Sequence, residues 1–266
     1  MHVGGTSLAG IPPVNGEGYG QLWDDTATVP WDDAKALLEL IETVGADTIA
    51  AFFAEPIIGA GGGVYLPPDG YLTEIRDICR DHDILFVVDE VVTGFGRIGG
   101  SWFASSRFDL QPDIMTTAKG LTSGYLPMGA VFVAPPRVAE PFFAGGVWWR
   151  HGYTYGGHAG SAAAALANLD ILENEGLLDE SARLEKTLHA KLAPLADHPP
   201  RVAEIRSGLG AVAAVQLADP AEAPKFVKEL RARGISGRAA GQGAMQISPA
   251  FVMTDEQVQD LADGFA

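Results

Sequence analysis

Cysteine is almost absent from this sequence of 266 residues: Cys79 stands alone, so there is no disulfide framework. No group of cysteines and histidines has zinc spacing either, and His151 and His158, which flank a glycine-rich turn, lack a third ligand nearby, so no metal site is expected. Positive charge is scarce. Only 18 Lys and Arg stand against 34 Asp and Glu, and the formal net charge of -16 argues against nucleic acid and against anionic membrane as partners. No apolar run is long enough to cross a bilayer and no export leader opens the chain, which makes the cytoplasm the expected location. Two nucleotide signatures are missing too. There is no G-x-x-x-x-G-K-[ST] loop, and Gly59-Ala-Gly-Gly-Gly63 follows Glu55-Pro56 without opening a helix. Internal repeats and low-complexity tracts are absent.

What is present is ordinary globular composition, with 47% hydrophobic and 20% charged residues. After an irregular Pro/Gly-rich stretch at 11–20, the pattern alternates between helix and strand. Asp32 and Asp33 suit a helix's first turn, Leu37, Leu38, Ile41 and Val44 make its apolar face, and Gly45 ends it. Residues 48–54 are continuously apolar, as in a strand covered on both faces. A Gly/Pro-rich loop leads to a helix with Leu72, Ile75, Ile78 and Cys79 at helical spacing, then to a strand at 84–88. Strand, helix, strand predicts a parallel crossover, whose functional groups gather at the carboxyl ends of strands, where Glu55, Asp89 and Lys119 lie.

Further on, a strand is expected at 129–134, a Gly/aromatic segment at 142–157, and helices at 159–174 and around Leu178, Leu184, Leu188 and Leu192. Beyond His198-Pro-Pro200 the predicted order is strand (210–217), helix (223–233), short strand (245–248) and a helix capped by Thr254 and Gln257. The expected architecture is α/β: a cofactor-binding large domain over 1–172, with a mostly parallel sheet flanked by helices, and a smaller α+β domain over 173–266.

Two apolar runs end in opposite charge, one at Asp89-Glu90 and one at Lys119. Pyridoxal phosphate chemistry needs such a pair, a lysine to hold the cofactor's aldehyde and a carboxylate to keep its pyridine nitrogen protonated. Each has a plainer reading. A lysine after a strand is most often solvated, and Asp-Glu after an apolar strand also fits a magnesium site, which the missing phosphate loop disfavours.

The motifs Phe53-Ala-Glu-Pro56, Leu66-Pro-Pro-Asp-Gly-Tyr71, Asp89-Glu-Val-Val-Thr-Gly-Phe-Gly-Arg97 and Pro112-Asp-Ile-Met-Thr-Thr-Ala-Lys-Gly120 occur in this order. Pro127-Met-Gly-Ala130, His151-Gly-Tyr-Thr-Tyr-Gly-Gly-His158 and Ser248-Pro-Ala-Phe-Val-Met-Thr-Asp-Glu256 follow. Together they resemble the class III, ornithine- or omega-type, aminotransferases of pyridoxal-phosphate fold type I, across essentially the whole chain. The resemblance implies ping-pong transfer of an amino group from an amine or omega-amino acid to a keto-acid. It implies that Lys119 forms the Schiff base with pyridoxal 5'-phosphate and moves the substrate proton as a buried, neutral amine. Asp89 is then the partner of the pyridine nitrogen, Val91 packs on the ring, and Glu55 belongs to the cofactor site. Thr154 resembles the threonine that reaches the neighbouring subunit's cofactor phosphate, which implies a homodimer with shared sites.

The sequence also departs from the family. Val92 stands where a glutamine often touches the cofactor's phenolic oxygen, and Ala60 and Gln246 stand where a Glu/Arg pair serves glutamate-type substrates. The pattern is closer to enzymes that use pyruvate-like acceptors, for which Arg238 is the candidate carboxylate ligand, with a solvated loop residue as the alternative. Trp148, Trp149 and Tyr153 are candidate pocket residues, although aromatic packing explains them equally well. The family's N-terminal phosphate-gripping loop and ring-stacking aromatic residue have no counterpart in this sequence. The chain is therefore expected to be N-terminally truncated relative to its family, and a catalytically incompetent fragment, at most dimerising or weakly cofactor-binding, is the alternative to an enzyme. A related aminomutase would use the same residues.

Overall fold

The computed structural model describes residues 26–59, 61–148, 150–197, 201–240 and 242–265. The stretch 11–20, Ala60, Trp149 and the His198-Pro-Pro200 break lie outside them. Helix α1 (Lys35–Val44) starts where the Asp33 carboxylate accepts the Lys35 N–H at 3.0 Å, and Gly45 at φ +86° closes it. The two aspartates thus precede the helix instead of filling its first turn. Leu37 and Ile41 are buried, while Val44 faces outward.

Strand β1 (Ala51–Ala54) pairs in parallel with β2 (Leu85–Asp89) after a crossover through α2 (Tyr71–Asp81). Strand β3 (Ile114–Thr117) lies parallel to β2 on its other side, and β4 (Ala130–Val133) returns antiparallel to β3. The sheet order is β1-β2-β3-β4. Burial of Leu72, Ile75, Ile78 and Cys79 against Phe86 and Val88 holds α2 on this sheet, and it pushes the Cys79 thiol up to about 12. The expectation that β1 is covered on both faces fails at Phe53, which is exposed, and the strand begins only at Ala51 because Ala46–Thr48 form a 3-10 turn. Two short helices, α3 (Ala104–Arg107) and α4 (Glu140–Ala144), sit in the connections.

Helix α5 (Ala159–Asn174) occupies the span read from the sequence, begun by the His158 ring nitrogen accepting the Ser161 N–H at 3.2 Å. Helix α6 (Leu177–Leu192) follows, then β5 (Val202–Arg206), β6 (Ala213–Leu217), α7 (Ala223–Ala232), β7 (Arg238–Ala240), β8 (Ala244–Ile247) and α8 (Asp255–Phe265). These strands form a second, antiparallel sheet of order β5-β6-β8-β7. Its core joins Leu184, Leu188 and Leu192 of α6 to Val215, Phe226, Met245 and Val258. The capping box of α8 is present, with Gln257 Oε1 accepting the Thr254 N–H at 2.9 Å and Thr254 Oγ1 accepting the Gln257 N–H at 3.3 Å.

The two sheets share a core in which Ile57, Val64 and Ile98 meet Val212, Ala214 and Ala244. The glycine-rich turn belongs to this junction. Gly63 has φ +88°, a side chain there would collide with Ala244, and its carbonyl accepts the Arg206 guanidinium at 2.6 Å. The chain is an α/β fold with an added antiparallel sheet.

Candidate active site

In a parallel sheet all strands end on the same edge, so the register decides which side chains meet there. Ala54 pairs with Val88, which puts Glu55 and Asp89 side by side as the chain leaves β1 and β2. Asp89 pairs with Thr116, and Lys119 follows β3 two residues after its last.

Glu55 is buried, at 5% exposure. Its Oε2 accepts the Gly59 N–H at 3.0 Å, while Oε1, fully buried, has no hydrogen-bond partner among the described residues. Burial pushes this carboxyl up to about 7; the Gly59 N–H opposes the rise, the Asp89 charge adds to it and the Lys119 charge opposes it. Glu55 therefore feels both other site charges.

Asp89 is half-buried and accepts the Val91 N–H at 2.9 Å, which turns its carboxylate back over the start of the following loop. Glu90, at 0% exposure, does the opposite work. Its carboxylate accepts from Thr93 Oγ1 at 2.5 Å, Ala104 N at 3.0 Å, Ser105 N at 2.6 Å and Ser105 Oγ at 2.7 Å. Those donors lie at Thr93 and at the start of α3, so Glu90 clamps together the two ends of the segment that contains Thr-Gly-Phe-Gly-Arg97. Within the loop Gly96 takes φ +92° against Phe251. Arg97 then pins the loop to the second sheet: Nη1 donates to Ala211 O at 2.7 Å and Pro249 O at 2.8 Å, with the guanidinium over the Phe251 ring. Desolvation lowers Arg97 to about 10.

Lys119 has φ +37°, a left-handed conformation that side-chain-bearing residues avoid and that clusters at functional sites. Its turn is held from α5, where Asn168 Nδ2 donates to Gly120 O at 2.8 Å and Leu121 O at 3.2 Å. The expected burial of Lys119 is not found: the residue is exposed and makes no ion pair within the described residues, which supply no cover for it.

Val91 and Val92 are half-buried, with Val92 packed on Gly59. Trp148, Tyr153 and Thr154 are exposed, the first two at 80% and 78%. Arg238 stands on β7 opposite Gln246, to which its Nη2 donates at 3.3 Å, and so occupies an edge strand instead of a loop. No hydrogen bond or ion pair among the described residues links Arg238 to Glu55, Asp89 or Lys119. Two clefts of about 230 and 360 Å³ are lined by residues other than Glu55, Asp89 and Lys119. No group of metal-binding side chains occurs among the described residues. Glu90, Arg97 and Asn168 escaped sequence reading as parts of this site. Most of their partners are backbone groups distant in sequence, which no spacing pattern reveals.

A family model described as aminotransferase class-III matches residues 11–266. The chain belongs to the class III aminotransferases. It is 42% identical, over 86% of its length, to a putrescine–pyruvate aminotransferase of Pseudomonas aeruginosa, of which it covers 51%. It is 39% identical to a diaminobutyrate–2-oxoglutarate transaminase of Halomonas elongata, over 86% of this chain and 51% of that one. The crystal structure of a transaminase from a marine Virgibacillus superposes with a TM-score of 0.80 at 38% identity, over 87% of this chain and 55% of that one. This class III aminotransferase chain thus spans about half the length of the curated relatives it matches.

Proposed function

We propose that this class III chain serves a pyridoxal-phosphate-dependent aminotransferase running a ping-pong reaction, with an amine or omega-amino acid as donor and a pyruvate-like keto-acid as acceptor. The observation that carries the reading is the placement of Asp89 and Lys119 at the carboxyl ends of adjacent parallel strands. The residues fit the cofactor: a carboxylate fixed by its own loop and, among the described residues, an amine clear of ion pairs and a buried Glu55 oxygen without a partner. Pyridoxal phosphate, when bound, supplies an aldehyde to carry the amino group and a ring that accepts electrons. Asp89 would hold the proton on the ring nitrogen. The Nζ of Lys119 would hold the aldehyde carbon and, when free, serve as the base that carries a proton between the donor's carbon and the cofactor's. Val91 would pack on the ring, and Arg238 would receive the acceptor's carboxylate through its planar guanidinium.

Names of relatives support both pyruvate and 2-oxoglutarate as acceptors, and Gln246 beside Arg238 favours the smaller one. The domain division at 172/173 and a cytoplasmic location belong to the same reading. A homodimer is supported by the exposed segment with Trp148, Tyr153, Thr154 and Tyr155, since contiguous apolar exposure marks contact surfaces. The exposure of Lys119 favours a second reading, a cofactor-binding module without turnover.

After mixing with pyridoxal phosphate and removal of the unbound cofactor, the chain should absorb in the violet, and Lys119→Ala should abolish that absorbance. A chain left colourless overturns the cofactor reading. Colour without amine consumption leaves the second reading standing.

A further inference from the structure

Among the charged groups at the strand ends, Glu55 has a buried oxygen that no described residue hydrogen-bonds. A buried polar atom left without a partner costs on the order of 1–3 kcal/mol, so such atoms in native proteins call for a missing partner. Oε1 of Glu55 is one, while Oε2 of the same carboxyl is satisfied by Gly59. We propose that Glu55 contacts the cofactor directly, its Oε1 hydrogen-bonding the phenolic oxygen of the bound pyridine ring; this rests on the pyridoxal phosphate reading above.

The choice of that atom follows from elimination around the ring. The ring nitrogen goes to Asp89 and the aldehyde carbon to Lys119, the two groups whose charges Glu55 feels. The methyl substituent has no polar atom, and a dianionic phosphate would be repelled by the Asp89 carboxylate beside Glu55. The phenolic oxygen remains. It is attached next to the carbon that Lys119 would engage, and it is a strong acceptor that needs a donor. Val92, packed on Gly59 in the same corner, has no hydrogen-bonding group.

Only the neutral acid form of Glu55 can donate. Burial and the neighbouring Asp89 favour that form and Lys119 opposes it, and the net result holds the proton up to about pH 7. An anionic Glu55 paired with Lys119 is the rival arrangement; the two form no ion pair within 4.0 Å, and Lys119 is exposed while Glu55 is buried.

Pyridoxine 5'-phosphate separates these alternatives, because it keeps the ring nitrogen, phenolic oxygen and phosphate but has no aldehyde for Lys119. Its dissociation constant would be measured at pH 6 and pH 8.5 for the unaltered chain, Glu55→Gln and Glu55→Leu. Thermal unfolding without ligand serves as the check that each variant folds. The amide still donates, so Glu55→Gln should bind within about threefold of the unaltered chain at pH 6, whereas Glu55→Leu should lose about tenfold. Between pH 6 and 8.5 the unaltered chain should weaken about tenfold more than Glu55→Gln does.

Equal binding by Glu55→Leu and the unaltered chain overturns the proposal. So does a Glu55→Gln as weak as Glu55→Leu, since an anion would then be what matters. If these results occur while pyridoxal phosphate still gives Lys119-dependent colour, the Glu55 assignment falls alone. Absence of both colour and binding overturns the cofactor reading together with it.

Discussion

The strand-end edge and the aromatic segment from Phe142 to Tyr155 differ in where their structure comes from. At the edge, Glu90 closes its loop with four donors, Arg97 pins that loop to two carbonyls of the second sheet, and Asn168 holds the turn of Lys119. In the aromatic segment Phe143, Val147, Trp148, Tyr153 and Tyr155 are all more than half exposed. Large apolar side chains spread over solvent are rare in a finished surface, and β4 beside them also shows Val131 and Phe132. The difference teaches that the strand-end groups are held by contacts within this chain, whereas the aromatic segment presents its large side chains to solvent.

Three measurements can break or sharpen that contrast. The largest effect is expected at Glu90. Glu90→Ala strands four buried donors and should lower unfolding free energy by about 3–5 kcal/mol in urea titrations; a loss under about 1 kcal/mol would mean the edge is not self-built. Glu55 comes next. Between its ordinary 4.5 and about 7 the folded chain holds a proton that the unfolded chain releases, so stability falls as pH rises through this window, and the cost is complete above pH 7. Glu55→Gln should therefore be more stable than the unaltered chain by on the order of 3 kcal/mol at pH 8, and the advantage should vanish near pH 4.5. A pH-independent difference would show that Glu55 titrates normally. The smallest effect belongs to the aromatic segment. Tyr153→Ala should change stability by less than about 0.5 kcal/mol while weakening self-association in sedimentation velocity; a large stability loss would show that the segment is packed within the chain after all.

The same contrast explains what could be read from the sequence. Apolar runs that stop on a charge gave away Asp89 and Lys119, because a buried strand that ends in an ionised side chain must deliver it to an edge. Helix α5 was legible through its alanine-rich run, α8 through its capping box, and the parallel crossover through the helical spacing of Leu72, Ile75, Ile78 and Cys79. Strands β5 and β7 were missed, being short and mostly exposed with little apolar alternation. The role of Glu90 was hidden because Ala104 and Ser105 contribute backbone groups, which have no sequence signature. The exposure of Lys119 was equally unreadable: a strand-end residue is buried only when another part of the fold lies over it.

The backbone of Lys119 carries one more consequence. At φ +37° any residue with a side chain is strained by on the order of 1–3 kcal/mol, which glycine escapes, while glycine's added freedom in the unfolded chain costs less than about 1 kcal/mol. Selection for folding alone would thus favour replacing the side chain to which the proposed function assigns the chemistry. On that proposal, a library sorted by expression or heat resistance would lose the lysine at position 119, and a screen for cofactor binding would keep it.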